Sequence, residues 1–131
     1  YGLASKDIIS DFDKIRQPFN VNYIAQKMAV ASLGDERYLE KSLRLNDAGM
    51  QFLKSELNKL GITYLNTYTN FITLYLGSKT QEIYEILLSE GVILRPLENY
   101  GLPNYLRVTI GTKEENNMFI RKLKKSLKVI K

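Results

Sequence analysis

"LRVTIGTKEEN", residues 106–116, changes its period partway along. Leu106, Val108 and Ile110 alternate with Arg107 and Thr109, which predicts a strand with one apolar face. From Thr112 the pattern T-K-E-E is a capping box, and Phe119, Leu123, Leu127 and Ile130 then recur at helical spacing. A strand that runs straight into an amphipathic helix predicts an α/β domain with helices laid on a sheet. Arg107 falls on the opposite face of that strand, with Tyr105 and Thr109.

Working back along the chain, "GVILRP" (91–96) reads as a second short strand, Val92–Arg95, with an arginine at its end. Eleven residues separate Arg95 from Arg107, and "PLENYGLPN" (96–104), with two prolines and a glycine, reads as a loop between them. Two strands so joined bring both guanidiniums to one edge of a sheet. Arginine's planar fork binds carboxylate or phosphate through two parallel hydrogen bonds. Residue types alone leave two readings open: an anion site, or two solvated sheet residues. Tyr100 and Tyr105 lie beside the arginines in sequence and suit either packing or an anion site.

Further upstream, "SKTQ" (78–81) has capping-box form, and Ile83, Ile86 and Leu87 carry that helix to Gly91. Strands are predicted near Ile62–Leu65 and Asn70–Leu76. Asp35 suits the cap of a long helix whose stripe is Leu39, Leu43, Met50, Leu53, Leu57 and Leu60, and Gly61 suits its left-handed C-terminal cap. Gly49 inside this helix costs roughly 1 kcal/mol relative to alanine, so a close packing contact is expected there. Two shorter helices come first. Ser5 caps one bearing Ile8, Ile9, Phe12 and Ile15, and the other runs from about Asn22 to Leu33 with Ile24, Met28 and Ala31. "RQPFNVN" (16–22) separates them as a rigid connector, with Asn20 or Asn22 as a cap. The order ααα-ββ-α-ββ-α predicts an α+β two-layer sandwich: helices on one face of a small, mainly antiparallel sheet.

Composition narrows the chemistry. The 131 residues are 44% apolar and 25% charged, ordinary for a globular domain. There is no cysteine and no histidine, which removes disulfides, zinc sites with such ligands, and Cys–His or Ser–His catalysis. No calcium-type acidic loop is present, and no metal site is expected. No apolar run approaches the ~20 residues of a membrane span, and "YGLASKDIIS" lacks the form of a signal peptide. A cytoplasmic protein is expected. The start lacks an initiator methionine, so a processed or cloned piece is expected. The net charge is +5, but the last eleven residues hold six of the 19 basic residues; without them 13 basic residues face 14 acidic ones. The basic excess is one helix end rather than a stripe, which argues against nucleic acid as a partner.

The motifs "IRQPFNVN" (15–22), "TNFITL" (69–74), "GVILRP" (91–96) and "YGLPNYLRVTIGTKEEN" (100–116) together resemble the C-terminal part of the histidinol-phosphate aminotransferases, within the fold-type I enzymes that use pyridoxal 5'-phosphate (PLP). The resemblance runs over nearly the whole chain. It implies the small, substrate-side C-terminal domain, residues 1–131, with residues 1–34 as connecting helices toward a large cofactor-binding domain. It implies transamination of histidinol phosphate with 2-oxoglutarate in histidine biosynthesis, by a homodimer. It places a substrate-gripping arginine on Arg107, for the α-carboxylate of glutamate or 2-oxoglutarate. It places a second on Arg95, for the substrate phosphate or a distal carboxylate. The aromatic after Pro18, Phe19, packs near the substrate but has no hydroxyl to donate to phosphate. Asn20 and Tyr100 are further substrate-contact candidates. The Schiff-base lysine, the ring-nitrogen aspartate and the other PLP contacts of the family fall upstream of Tyr1, so no cofactor residue is expected here and the chain alone is expected to be inactive. An aromatic or broad-specificity aminotransferase of the same family is the nearest alternative. An independent RNA-binding module, or a regulatory domain holding a small anion, is the alternative of another class.

Overall fold

The computed structural model describes residues 1–130, in two compact units, Tyr1–Leu39 and Glu40 onward. The first unit holds helices α1 (Lys6–Ile15) and α2 (Tyr23–Leu33) and the first residues of α3 (Glu36–Lys59). Ser5 stands at the N-cap of α1 with extended backbone, but its hydroxyl makes no capping bond. The connector ends as expected: the Asn22 carboxamide accepts from the Ala25 N–H at 2.8 Å and caps α2. Asp35 caps α3 through the Tyr38 N–H at 2.9 Å. No side chain of α1 or α2 is buried.

The second unit carries the core. Its strands are β1 (Phe71–Tyr75), β2 (Arg95–Leu97) and β3 (Leu102–Thr109), in the order β1-β3-β2 and all antiparallel to their neighbours. Helices α3, α4 (Thr80–Ser89) and α5 (Lys113–Val129) contribute Leu53, Leu57, Ile83, Leu87 and Leu123 to one cluster with Ile72, Leu74 and Leu106 of the sheet. Each of these is at most 1% exposed. Burying one such aliphatic side chain is worth about 1.5–3 kcal/mol, so this cluster is the main source of the unit's stability. The expected two-layer architecture, with helices on the apolar face of a small antiparallel sheet, is the one observed.

Several boundaries differ from expectation. The strand expected at Ile62–Leu65 is a single bridge, Tyr64 to Leu74, flanked by the bonds Leu65 N–H to Thr73 O (3.0 Å) and Tyr75 N–H to Thr63 O (2.9 Å). The sheet therefore has three strands rather than four. "SKTQ" is not a capping box: Gly77–Lys79 form a 3-10 turn, and the Thr80 hydroxyl donates to Gly77 O at 2.7 Å instead. The tighter turn takes Ser78 out of the capping position. The strand expected at Val92–Arg95 is shifted along the chain, and "PLENYGLPN" is no open loop: Val92–Leu94 are not strand, β2 begins at Arg95 and runs to Leu97, a 3-10 turn covers Glu98–Tyr100, and β3 begins at Leu102. The prolines misled because both are tolerated here. Pro96 lies on the edge strand, and Pro103 falls where the β2–β3 register slips, between the pairs Pro96–Leu106 and Leu97–Leu102.

Candidate functional site

Register decides where Arg107 points. Leu106 and Val108, 0% and 5% exposed, fix one face of β3 in the core, so the odd-numbered residues between and beside them take the other face. Across β3, Arg107 stands opposite Thr73 of β1 on one side and opposite Arg95 of β2 on the other. The expected convergence of the two arginines is thus a direct cross-strand pair, closer than a long loop would have made it. Like charges facing each other across strands oppose folding unless something neutral or anionic lies between them. Six ion pairs occur among the described residues, and none uses Arg95 or Arg107. Both forks keep their donors available for an anion.

The same sheet face is aromatic around the arginines. The Arg107 guanidinium carbon lies 4.8 Å from the centre of the Phe71 ring. Tyr75 and Tyr105, cross-strand partners, have ring centres 5.1 Å apart. An open groove of about 810 Å³ runs along the β2–β3 edge, lined by Val92–Pro96, Arg107–Gly111 and the first turns of α5.

The segment after β3 is held by four short-range bonds. The Gly111 N–H donates to Asn116 Oδ1, and Asn116 Nδ2 donates back to Gly111 O, both at 3.0 Å. The Thr112 N–H donates to the Glu115 carboxylate at 2.7 Å, and the Glu115 N–H donates to the Thr112 hydroxyl at 3.3 Å, which completes the expected capping box. The Thr112 N–H holds the Glu115 carboxyl below its ordinary pKa. A Cβ on Gly111 would come within 2.6 Å of Glu115 Oε2, so a side chain there would push the capping carboxylate aside. Asn116, 3% exposed, is the structural support beside the site that sequence reasoning missed. Its trace was an asparagine, a poor helix former, one residue past the box.

The remaining candidates sit elsewhere. Tyr100 is exposed in the 3-10 turn at the far end of the β2–β3 hairpin and does not line the groove. Phe19 and Asn20 belong to the first unit. Phe19 is the one non-glycine among the described residues with positive φ, +58°, in a turn closed by the Asn20 N–H to Gln17 O bond of 3.3 Å. That backbone region favours glycine, so the turn is strained and presents a ring that is 97% exposed. The Asn20 carboxamide oxygen accepts from Arg16 at 3.5 Å, and it is Asn22 that caps the helix. No cluster of metal-ligating side chains and no helix long and apolar enough to cross a membrane occurs among the described residues.

Comparison with known proteins adds the following. The model of the family described as aminotransferase class I and II matches residues 1–123. Histidinol-phosphate aminotransferase 2 of Pseudomonas fluorescens (strain Pf0-1) is 45% identical over 127 residues, which cover 97% of this chain and 34% of that protein. The histidinol-phosphate aminotransferase of Methylobacillus flagellatus is 43% identical over 98% of this chain and 34% of its own length. The crystal structure of the histidinol-phosphate aminotransferase from Clostridium acetobutylicum superposes with a TM-score of 0.82 at 30% identity, over 91% of this chain and 37% of that one. The chain thus spans about a third of the length of the curated relatives it matches.

Proposed function

The chain belongs to the class I and II aminotransferases, and on that footing we propose that it is the substrate-side part of a PLP-dependent histidinol-phosphate aminotransferase. The reaction would convert histidinol phosphate and 2-oxoglutarate to imidazole acetol phosphate and glutamate, in histidine biosynthesis. The observation that carries the reading is the pairing of Arg95 with Arg107 in register, both without an acidic partner among the described residues. Two unneutralised guanidiniums on one sheet face suit anionic substrates. In this reading Arg107 holds the α-carboxylate of glutamate or 2-oxoglutarate. Arg95 holds the phosphate of histidinol phosphate or a distal carboxylate.

PLP, when bound, supplies the electron sink of such a reaction. The groove beside the arginines is lined by no lysine and no aspartate, so it fits substrate anions rather than the cofactor. Attachment of PLP then falls to the remainder of a longer protein, which residues 1–34 would join to this domain. The intact protein would be a cytoplasmic homodimer. What these residues contribute is orientation: gripping both anionic ends of the substrate aligns its reacting bond.

Arg107→Ala in the intact protein should raise KM for glutamate and 2-oxoglutarate by about 10- to 100-fold, the worth of a charge-assisted bidentate contact. Steady-state kinetics with both substrates checks this, and an unchanged KM for every substrate would overturn the assignment. The isolated 131-residue chain with added PLP should show no transamination; robust turnover would overturn that part of the reading.

A further inference from the structure

The segment "TNFITL" puts Phe71 on the outer face of β1, one cross-strand step along from Thr73. Thr73 pairs with Arg107 and Phe71 pairs with Thr109, so the Phe71 ring is the diagonal neighbour of Arg107. The Arg107 guanidinium carbon is 4.8 Å from the ring centre, inside the ~6 Å range of cation–π attraction. No salt bridge and no side-chain hydrogen bond among the described residues ties that guanidinium down; against the repulsion of Arg95 opposite, the Phe71 ring is the attractive contact it makes.

We propose that Phe71 is a positioning residue for Arg107, holding the guanidinium in place on the sheet face so that its fork is ready for the substrate carboxylate. The physical argument rests on which group could do this without blocking the site. A carboxylate at position 71 would also hold the arginine, but it would occupy N–H donors and cancel the charge that the substrate needs. A ring attracts the cation through its quadrupole and takes none of the five donors. Phe71 is half-buried, so the contact is partly shielded from water, where such attraction is stronger. Restricting the long side chain before the anion arrives lowers the ordering cost at binding. The inference rests on the anion-binding role of Arg107.

The test uses the intact protein and compares Phe71→Leu, Phe71→Tyr, Arg107→Ala and the double variant Phe71→Leu/Arg107→Ala. Phe71→Leu should raise KM for glutamate about three- to tenfold with a smaller change in kcat, while Phe71→Tyr should stay within about twofold of the parent. In the Arg107→Ala background Phe71→Leu should add nothing. Replacing Phe71 by ring-fluorinated phenylalanines, which weaken the quadrupole at nearly constant shape, should raise KM in step with fluorination and guards against a folding defect in the leucine variant. A flat fluorination series overturns the proposal. So does a Phe71→Tyr defect equal to that of leucine, or an equal Phe71→Leu effect with and without Arg107. If Arg107→Ala raises KM while Phe71→Leu does not, only this inference falls. If Arg107→Ala itself changes nothing, the anion-site reading falls with it.

Discussion

Asn116 shows how much one buried amide does for the end of β3. Its carboxamide satisfies both the N–H and the C=O of Gly111, two residues past the strand that carries Arg107. Asn116→Ala should therefore cost about 1–3 kcal/mol, because two partly buried backbone groups lose their partners. Asn116→Asp, which keeps the acceptor but sets a carboxylate oxygen against Gly111 O and buries a charge, should cost at least as much as alanine. Urea unfolding midpoints of the three chains would rank them, and an alanine variant as stable as the parent would contradict the clamp. At this scale the sequence was partly legible. Alternation gave the face of Arg107, and residue types gave the Thr112–Glu115 box. The role of Asn116 was hidden, because a side chain that bonds to backbone rather than to another side chain leaves no pairing pattern in sequence.

Helix α3 shows the same limit at the scale of an element. Of the stripe Leu39, Leu43, Met50, Leu53, Leu57 and Leu60, the part from Met50 on packs into the core, whereas Leu39 and Leu43 are 57% and 55% exposed; Gly61 does take the left-handed backbone expected of it, at φ +68°. Gly49 was readable only as an anomaly. The structure supplies the reason: a Cβ there would lie 2.5 Å from Ile110 Cγ2 and 2.9 Å from Asn116 Nδ2. The helix approaches the end of β3 so closely that only glycine fits. Gly49→Ala gains about 1 kcal/mol in helix propensity but meets an overpacking cost of about 1–3 kcal/mol, with Ile110 branched close to its backbone and slow to yield. We expect a net loss of up to about 2 kcal/mol, read as a lower thermal midpoint; a gain in stability would show that Ile110 moves aside. The failure of "SKTQ" as a capping box beside the success of "TKEE" makes a related point. The four-letter pattern is the same, and the preceding backbone, 3-10 in one case and extended in the other, decides whether the hydroxyl can reach.

Across the second unit as a whole, charge is arranged between helices far apart in sequence. Glu56 of α3 accepts from Lys124 of α5 and from Lys59, each at 2.6 Å, and its side chain is only 13% exposed. Lys124 first and Lys59 second pull its pKa from 4.5 down to about 2. A depressed carboxylate pKa stabilises the fold above the unfolded value, and that contribution is lost as pH falls through the folded one. The difference in melting temperature between the parent chain and Glu56→Gln should therefore be full above pH 4.5 and shrink toward pH 2; a difference independent of pH would show that the pair contributes no linkage. The basic C-terminal helix thus has a use that its composition did not reveal: two of its lysines, Lys124 and Lys125, meet carboxylates on α3 and after α4. The sequence by itself determined the two-layer class, the buried stripes of α4, α5 and the second half of α3, and the outward face of Arg107, because all three follow from local period and from keeping apolar groups out of water. Only the tertiary structure decided that Arg95 stands opposite Arg107, that two prolines sit inside a hairpin, and that Phe71 lies against the guanidinium. Those facts depend on strand register, which is fixed by core packing between segments that no local pattern connects.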